Sequence, residues 1–348
     1  MAWRDACANK GGGVVLVPSI GRFLVLPVLL QGPCNGLIQL QINGDLLASS
    51  DKAFATGYSW FKFYRVTNLV IQGLGRFLGQ GETAWPYNTC KHGPCTRLPI
   101  TISLQSIDIV RITNITSLNS KLGHFKVHGC NDVVFDNVTV IAPEDSPNTD
   151  GIHISKSTGV TIMNSIIATG DDCISFGPGS KDVNITNVHC GPGHGISIGS
   201  LGKYQNEPNI DGITVRDSKF VGTKNGIQIK TWSKSYSSVV SNLTFVNLKM
   251  YNVESPIIIN QNYCPHNACN NNKVSVSRIQ IKDVKYENIR GTSAKQLAVT
   301  LNCSQVVPCQ GIVLNNINLA FNGTGSSTSI CQNIKGSASG PQLPPSCL

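Results

Sequence analysis

Four short segments of the chain share one alternating pattern of polar and apolar residues, and this pattern constrains the fold more than any other feature. The segments are TDGIHIS (149–155), DDCISFG (171–177), GHGISIG (193–199) and KNGIQIK (224–230). Alternation with a period of two identifies β-strands, so the apolar residues of each segment should point into the interior. These residues are Ile152, Ile154, Ile174, Phe176, Ile196, Ile198, Ile227 and Ile229.

The residues just before these apolar pairs carry chemically reactive side chains in equivalent places. Asp150, Asp172, His194 and Asn225 head the four segments, and the first three lie 22 residues apart (172 − 150 and 194 − 172). That interval suits one turn of a parallel β-solenoid, in which neighbouring strands lie about 4.8 Å apart. The spacing therefore predicts a column of two carboxylates and a histidine, with Asp171 beside it.

A second alternating pattern recurs along the chain and usually ends in Asn or Asp. Its copies start near residues 68, 108, 132, 159, 182, 212, 242, 278 and 311, and most starts are 23 to 36 residues apart. A leucine-rich repeat has a tighter, Leu-dominated period, and a propeller has four strands in about 40–45 residues, so neither matches. We predict an all-β fold, a right-handed parallel β-helix forming a single-stranded solenoid of about ten coils. Its outward side chains would form an extended face suited to a linear polymer.

Length and composition agree with a solenoid. The 348 residues exceed the usual size of one globular domain, but each coil of a solenoid buries its face against its neighbours. Only 14% of residues are charged and 34 are Gly, which fits short strands joined by tight turns. We expect a single domain over residues 1–348, in which residues 326–348, rich in Ser, Gly and Pro, form a C-terminal tail held by a disulfide.

The formal charge of +9 favours a polyanionic partner such as nucleic acid, acidic lipid or acidic polysaccharide, although it can also serve solubility alone. Nucleic acid is disfavoured because the chain has no Lys/Arg run and no usual recognition motif. A membrane span is disfavoured because Pro, Gly and Arg interrupt the apolar stretch from Val14 to Leu30, which instead predicts a first pair of strands.

The 13 cysteines indicate an oxidising compartment, because their spacings do not form a zinc-type set. The expected disulfides are Cys7–Cys34, Cys90–Cys95, Cys173–Cys190, Cys264–Cys269, Cys303–Cys309 and Cys331–Cys347, which leaves Cys130 as a buried thiol. Glycosylation sequons agree with secretion, although several fall in strand repeats where asparagine can stack or turn; they start at Asn114, Asn137, Asn184, Asn242, Asn302 and Asn322. No signal peptide is recognisable, so we expect the leader and first coil to be absent from this chain. The cysteines and sequons are then the basis for expecting a secreted, extracellular or cell-wall protein.

Asp150, Asp171 and Asp172 can supply the two carboxyl functions of a glycosidase. One must hold a proton for the leaving oxygen, and the other must be ionised to activate water or attack carbon. Three neighbouring carboxylates cannot all ionise easily, so one should keep its proton to higher pH, and the spacing does not say which. An isolated Asp at a solenoid turn more often bonds backbone amides, but reactive residues in register on adjacent coils favour chemistry.

Further along the chain, Gln228 and Lys230 alternate with inward isoleucines, so both should project from the face that bears the aspartates. A lysine beside a carboxylate cluster can clamp an acidic sugar. Tyr263 falls on the next predicted coil, where it can pack against a sugar ring or be a partly buried strand residue.

The segments SPNTDGIHIS, TGDDCISFG, CGPGHGISIGSLG, NGIQIKTW and the following QNYC, in that order and spacing, resemble the plant polygalacturonases of glycoside hydrolase family 28. The resemblance runs from about Ala2 to the C-terminal cysteines. SPNTDGIHIS and QNYCPHNAC favour the exo-acting branch, but these motifs do not decide between exo and endo action. It implies a right-handed parallel β-helix that hydrolyses α-1,4 bonds between galacturonic acids of pectin (homogalacturonan) with inversion. It implies a monomer without metal or cofactor, whose partner is this acidic polysaccharide.

The same resemblance implies a role for each matching residue. Asp171 would be the general acid, Asp150 and Asp172 would activate the water, and His194 would sustain the protonation of the site. The residues implied to bind substrate are Asn148, Gln228, Lys230 and Tyr263.

One departure from the family concerns Gln228, because the family's usual Arg-Ile-Lys is here Gln-Ile-Lys. A charge-assisted hydrogen bond contributes about 1.5–3 kcal/mol and a neutral one about 0.5–1.5 kcal/mol. The deficit of about 1–2 kcal/mol corresponds to roughly ten-fold in rate or affinity, so we predict weakened rather than abolished turnover.

Two alternatives keep the same fold. The first is a pectin-binding wall protein that has lost catalysis through Gln228. The second is a lyase whose aspartates hold Ca²⁺; because Ca²⁺ prefers oxygen ligands, a histidine in the column argues against it.

Overall fold

The computed structural model describes residues 1–54, 57, 59–88, 97–265 and 276–348. These residues group into two compact units, Met1–Asp172 and Cys173–Leu348, called here the N-terminal and C-terminal units. Strands dominate both units, as the prediction of an all-β fold requires.

The N-terminal unit begins with a short helix, α1 (Ala2–Ala8), which is followed by short strands. The strands are β1 (Gly13–Val17), β2 (Arg22–Val25), β3 (Val28–Gln31), β4 (Ile38–Ile42), β5 (Asp45–Ala48), β6 (Ser59–Tyr64), β7 (Thr67–Gln72), β8 (Arg76–Leu78), β9 (Ile100–Gln105), β10 (Asp108–Thr113), β11 (Thr116–Leu118), β12 (Phe125–His128), β13 (Asn131–Asp136), β14 (Thr139–Ile141), β15 (Ile152–Ser155), β16 (Thr158–Met163) and β17 (Ile166–Ala168). Single turns of 3₁₀ helix lie at Lys52–Phe54, Gly81–Thr83 and Trp85–Tyr87.

Each strand of this unit pairs in parallel with the third strand after it, which produces three ladders. The first ladder is β1-β4-β7-β10-β13-β16. The second ladder is β2-β5-β8-β11-β14-β17, and the third is β3-β6-β9-β12-β15. Because one turn of the chain adds one strand to each ladder, the unit is a parallel β-helix.

The C-terminal unit repeats this arrangement with longer strands. They are β18 (Ile174–Phe176), β19 (Lys181–Thr186), β20 (His189–Cys190), β21 (Ile196–Leu201), β22 (Ile210–Arg216), β23 (Lys219–Val221), β24 (Asn225–Trp232), β25 (Ser238–Val246), β26 (Lys249–Val253), β27 (Ser255–Tyr263), β28 (Ile279–Ser293), β29 (Leu297–Asn302), β30 (Cys309–Phe321), β31 (Thr328–Gln332) and β32 (Ile334–Leu343). The first ladder contains β19, β22, β25, β28, β30 and β32. The second contains β20, β23, β26 and the C-terminal parts of β28 and β30, and the third contains β18, β21, β24, β27, β29 and β31.

The predicted inward residues fill the interior of each unit. In the third ladder of the C-terminal unit, the register aligns Ile174, Ile196, Ile227 and Ile257. All four are 0% exposed, and so are the other inward residues that the sequence predicted. Burying one such side chain contributes about 1.5–3 kcal/mol, so these columns are the main attraction between coils.

The recurring Asn at the end of the second pattern turns the chain from the first ladder to the second. In the C-terminal unit, Asn247, Asn288 and Asn316 have φ of 55°, 52° and 53°, in the left-handed region that Asn tolerates better than most residues. Their amides stack, because Asn288 donates to Asn247 at 3.1 Å and Asn316 donates to Asn288 at 2.8 Å. Asn137 donates to Asn114 at 2.7 Å in the same way, so these two sequon residues do stack.

Most of the cysteine predictions that fall on described residues are confirmed. The disulfides Cys7–Cys34, Cys303–Cys309 and Cys331–Cys347 are present. Cys130 is a buried thiol. Cys264 is disulfide-bonded, but its predicted partner Cys269 and the predicted pair Cys90–Cys95 lie outside the described residues.

The predicted Cys173–Cys190 disulfide is wrong in this structure, because both residues are buried thiols. A disulfide needs two Cβ atoms about 3.5–4.5 Å apart with converging bonds, and short separation along the chain does not provide this. Cys190 lies in the second ladder, whereas Cys173 comes just before the third-ladder strand β18.

Strands also lie close to both ends of the chain, after α1 at the N-terminal end. The apolar stretch from Val14 to Leu30 contributes to β1, β2 and β3, each of which pairs with a strand of the next coil rather than with one another. Among the described residues, no helix has the length and apolar character needed to cross a membrane. Residues 326–348 include β31 and β32, and the Cys331–Cys347 disulfide joins two points of this segment.

Candidate active site

The acidic residues predicted from the 22-residue spacing lie at matching positions on neighbouring coils of the N-terminal unit. The amide N–H of Gly151 donates to the carbonyl oxygen of Asp172 at 2.9 Å. One coil earlier, the N–H of His124 donates to the carbonyl oxygen of Asp150 at 2.8 Å. The backbone ladder thus aligns Asp150 with Asp172, as the sequence predicted.

Two hydrogen bonds hold the carboxylate of Asp171 in one orientation. Asn148 Nδ2 donates to Asp171 Oδ2 at 3.2 Å, and the backbone N–H of Asp172 donates to Asp171 Oδ1 at 2.8 Å. Asn148 is exposed and has φ of 56°. Asn148, which was predicted to bind substrate, therefore lies beside Asp171, and its side-chain amide contacts the carboxylate directly.

The three carboxylates differ in their contact with water. Asp172 is only 4% exposed, whereas Asp150 and Asp171 are half-buried. A buried carboxylate is stable only when it is well paired, and a neighbouring carboxylate makes ionisation harder. This difference in exposure can therefore give three chemically identical carboxylates different roles.

Buried hydroxyl groups support the turn that carries Asp171. Thr149, fully buried, accepts a hydrogen bond from the N–H of Gly170 at 3.0 Å, and its hydroxyl lies 2.6 Å from that of Ser146. A Cβ on Gly170 would lie 2.0 Å from the carbonyl oxygen of Ser146, so only glycine fits. Gly170, directly before the two aspartates, therefore has a steric function.

In the C-terminal unit, His194 lies in a glycine-rich turn before β21. The side-chain amide of Asn225, on the next coil, donates to the carbonyl oxygen of His194 at 3.2 Å. A Cβ on Gly195 would lie 2.0 Å from the carbonyl oxygen of Asn225, so the two coils approach closely here. The structure confirms that His194 and Asn225 occupy equivalent positions of successive coils.

Gln228 and Lys230 project outward from β24, as predicted, because they alternate with the buried residues Ile227 and Ile229. Gln228 is nevertheless only 9% exposed, because neighbouring side chains cover it. Its Oε1 accepts hydrogen bonds from Asn225 Nδ2 at 3.3 Å and from Ser197 Oγ at 3.4 Å. The amide that replaces the expected guanidinium is therefore part of a buried polar network.

Lys230 and Tyr263 belong to a cluster of cations and aromatic rings. Lys230 Nζ lies 5.7 Å from the centroid of the Tyr263 ring. The ring of Trp232 meets that of Tyr263 edge to face at 5.9 Å, and Lys203 Nζ lies 5.2 Å from the Trp232 ring. The sequence analysis did not identify Trp232 or Lys203. Trp232, however, follows Lys230 by two residues in one strand, a spacing that places both on one face.

A second group that the sequence analysis missed is a basic cavity on the third ladder of the N-terminal unit. The cavity has a volume of about 210 Å³ and is lined by Ser59, Lys62, Arg97, Ile100, Ser103, Gln105, Lys126 and His128. Lys62 and Lys126 lie on either side of Ser103 in the strand register. Burial lowers the pKa of Lys126, and the charges of Arg97 and Lys62 lower it further. A cavity whose cations repel each other in this way is suited to an anion.

The sequence also matches a known protein family. Residues 7–340 match the family model described as glycosyl hydrolases family 28. The chain belongs to this family. The predicted resemblance is thereby confirmed, and with it the prediction that the chain is a glycosidase.

Individual relatives support the assignment. The chain is 46% identical to an exopolygalacturonase of Platanus acerifolia over 346 residues, which cover 99% of this chain and 91% of the relative. It is 43% identical to an exopolygalacturonase of Oenothera organensis, over 99% of this chain and 96% of the relative. Among solved structures, endo-xylogalacturonan hydrolase of Aspergillus tubingensis superposes with a TM-score of 0.82 at 24% identity, covering 96% of this chain and 93% of the other. The predicted right-handed parallel β-helix is confirmed.

Proposed function

We propose that this family 28 glycosidase hydrolyses α-1,4-galacturonosyl bonds of pectin with inversion and releases its products from the chain end. The observation that carries the proposal is the alignment of Asp150 with Asp172 on neighbouring coils, with Asp171 fixed beside them. Relatives named exopolygalacturonase that are similar over nearly the whole chain support the substrate and the exo mode.

In this proposal Asp171 donates a proton to the leaving oxygen, and Asp150 and Asp172 together activate the attacking water. Inverting enzymes separate acid and base by about 6.5–9.5 Å so that the water fits between base and sugar. Carboxylate oxygens of Asp171 and Asp172 lie within 4.8 Å of each other. Asp150, on the neighbouring coil about 4.8 Å away along the ladder, is therefore the carboxylate that can provide such a gap from Asp171. His194 sustains the protonation of the acid.

Substrate binding in this proposal rests on positive charge and aromatic surface. Each sugar of the polymer carries a carboxylate, which Lys230 attracts and Tyr263 flanks with its ring. Asn148 and Gln228 donate neutral hydrogen bonds. The basic cavity around Lys126 offers a further place for a uronate carboxylate.

The proposal includes export of the protein to the extracellular space or cell wall, where it acts as a monomer on acidic polysaccharide. The disulfides at both ends of the chain support an oxidising compartment. The proposed reaction requires no metal or cofactor. Carboxylates are, however, the ligands that Ca²⁺ prefers, so the acidic set of the N-terminal unit is where a metal could bind in the lyase alternative.

The direct test is the release of reducing ends from polygalacturonate. We expect Asp171→Asn to lower kcat by roughly 10²–10⁴-fold, the usual contribution of a general acid. Asp5→Asn, which changes an exposed aspartate of α1, is the matched control and should keep full activity. Equal activity of Asp171→Asn and wild type would refute the assignment of the acid. Activity lost to a chelator, with an unsaturated product absorbing in the ultraviolet, would instead establish the lyase.

A catalytically impaired pectin-binding protein is the second candidate, favoured by the bonded state of Gln228. It predicts retention of the wild type on immobilised polygalacturonate without release of any product. Monomer released from soluble polygalacturonate would exclude it.

A further inference from the structure

A row of positive charges runs along the second ladder of the C-terminal unit, on a different ladder from His194, Gln228 and Lys230. The strand register places His189 opposite Lys219, Lys219 opposite Lys249, and Lys249 opposite Arg290. Successive members therefore lie about 4.8 Å apart along the backbone ladder. These four residues are called here the cationic ladder.

The cationic ladder lies on the outer surface of its unit. Lys219, Lys249 and Arg290 are exposed and His189 is half-buried. Within the described part of the chain, none of the four takes part in an ion pair.

Other exposed cations of the same unit do have acidic partners. Lys285 contacts Glu287 at 2.6 Å, Arg216 contacts Asp217 at 2.8 Å, and Lys295 contacts Glu254. The unit therefore has acidic side chains available for pairing, and the cationic ladder is not simply a consequence of its composition.

Like charges that face each other on neighbouring strands destabilise a sheet. Burial lowers the pKa of His189, and the positive charge of Lys219 lowers it further, as expected for two facing cationic groups. Because folding gains nothing from this arrangement, its existence points to a ligand that neutralises it.

The surface around the ladder is also shaped to receive a chain of sugars. A concavity of about 480 Å³ is lined by Lys249, Tyr251, Arg290, Gly291 and Asn318. Tyr251 is 48% exposed and follows Lys249 by two residues, so both side chains leave the strand on one side. Gly291 has φ of 132°, and a Cβ there would lie 1.9 Å from the carbonyl oxygen of Met250. The floor of the concavity is thus bare backbone beside an aromatic ring.

We propose that the cationic ladder is a second, non-catalytic site that binds a linear polyuronate running across the coils. A row of evenly spaced cations matches a polymer with one carboxylate on each sugar, and the guanidinium of Arg290 can grip such a group with two parallel hydrogen bonds. A single-stranded nucleic acid is the weaker match, because it requires successive aromatic platforms for its bases and the concavity has only Tyr251. The identity of the polymer rests on the proposed function, whereas the existence of an anion site does not.

The test measures binding in an Asp171→Asn background, so that hydrolysis does not consume the ligand. The ladder variant is Lys219→Gln/Lys249→Gln/Arg290→Gln. The control variant Arg216→Gln/Lys285→Gln/Lys295→Gln removes the same net charge from the same unit at positions that are ion-paired. Polygalacturonate, fully methyl-esterified polygalacturonate and single-stranded DNA serve as ligands at low and high salt.

We expect the ladder variant to bind polygalacturonate on the order of ten-fold more weakly at low salt, and the control variant to bind it as the parent does. The difference should shrink at high salt, because exposed charges are screened. Methyl-esterified polymer should bind weakly to every variant. Equal binding by ladder variant and parent, or a loss confined to DNA, would overturn the proposal.

Thermal unfolding and turnover complete the design. Removing facing like charges should leave the unfolding temperature of the ladder variant unchanged or higher, and Lys249→Gln alone should show a smaller loss in the same direction. In the active background, kcat/KM on a short oligogalacturonate should be unchanged by the ladder variant. If wild type fails to hydrolyse any substrate but binds polygalacturonate through the ladder, the proposed activity falls and this inference stands.

Discussion

At the scale of single residues, we propose that Gln228 weakens the hold of the enzyme on its substrate. Its amide oxygen is occupied by Asn225 and Ser197, and its side chain is nearly buried. The resemblance to the family identified the substitution at this position, because the family's usual Arg-Ile-Lys is here Gln-Ile-Lys. It could not show the buried network, since Ser197 lies 31 residues before Gln228 and meets it only through the strand register.

Replacing Gln228 with arginine should raise kcat/KM on polygalacturonate about ten-fold, because a guanidinium makes charge-assisted bonds to a uronate carboxylate. The gain is reduced by the loss of the acceptor for Asn225 and Ser197. Steady-state kinetics of Gln228→Arg, with Gln228→Met as a control of similar size without charge, tests this. Activity of the arginine variant at or below that of wild type would contradict the prediction.

A second effect at the residue scale is the pH dependence of stability that His124 imposes. His124 is completely buried, its Nδ1 lies 2.8 Å from Ser117 Oγ, and burial lowers its pKa to about 3. The unfolded chain has the ordinary value near 6.5 and therefore binds a proton first as the pH falls. Below pH 6.5 each pH unit should remove about 1.4 kcal/mol of stability through this residue, down to its folded pKa.

Unfolding free energies of wild type and His124→Asn between pH 7 and pH 4 test this effect. The free energy of unfolding of the variant should fall less steeply as the pH is lowered, because its unfolding takes up about one proton fewer than that of wild type. This difference in slope does not depend on the stability of the variant at pH 7. Parallel pH dependences of the two proteins would show that His124 does not titrate as described.

At the scale of elements, the coil-to-coil ladders explain which parts of the fold were predictable. The alignment of Asp150 with Asp172 was visible because each heads a segment with the same alternating pattern, 22 residues apart. The cationic ladder was not visible, because β20 and β23, which carry His189 and Lys219, are only two and three residues long. Strands this short show no alternating pattern in the sequence, and only the backbone pairing reveals the alignment. The wrong Cys173–Cys190 pairing has the same cause, since spacing along the chain does not reveal which ladder a residue joins.

The asparagine stack offers a test of how strongly the turns hold the coils together. Asn288 has a left-handed backbone, donates to Asn247 and accepts from Asn316. Asn288→Ala should cost about 2–3 kcal/mol, the sum of left-handed strain of about 1–2 kcal/mol and two lost exposed hydrogen bonds of about 0.5 kcal/mol each.

Asn288→Gly is the matched control, because glycine adopts the same backbone without strain but lacks the amide. It should recover the strain contribution and keep only the hydrogen-bond loss in denaturant unfolding. Equal destabilisation by both variants would show that strain plays no part at this turn.

At the scale of the whole molecule, the proposed function gives charge and architecture a common purpose, the binding of one acidic polymer. The formal charge of +9 comes from few charged residues, and cations collect in the basic cavity, around Tyr263 and on the cationic ladder. Apolar columns and asparagine stacks hold neighbouring coils together, so the outward side chains of the strands are available for binding. In the proposed function, the acidic set of the N-terminal unit then hydrolyses the bound polymer, as membership of a glycosidase family suggests.

In the proposed mechanism these carboxylates hydrolyse the glycosidic bond by a single displacement. The anomeric form of the first released product shows whether they do. Proton NMR during the first minutes of digestion of an oligogalacturonate resolves the two anomers before they equilibrate. Single displacement at an α-linked sugar predicts that the β-anomer of the released galacturonate appears first and then decays toward equilibrium. Initial appearance of the α-anomer, or of an unsaturated sugar, would contradict the mechanism.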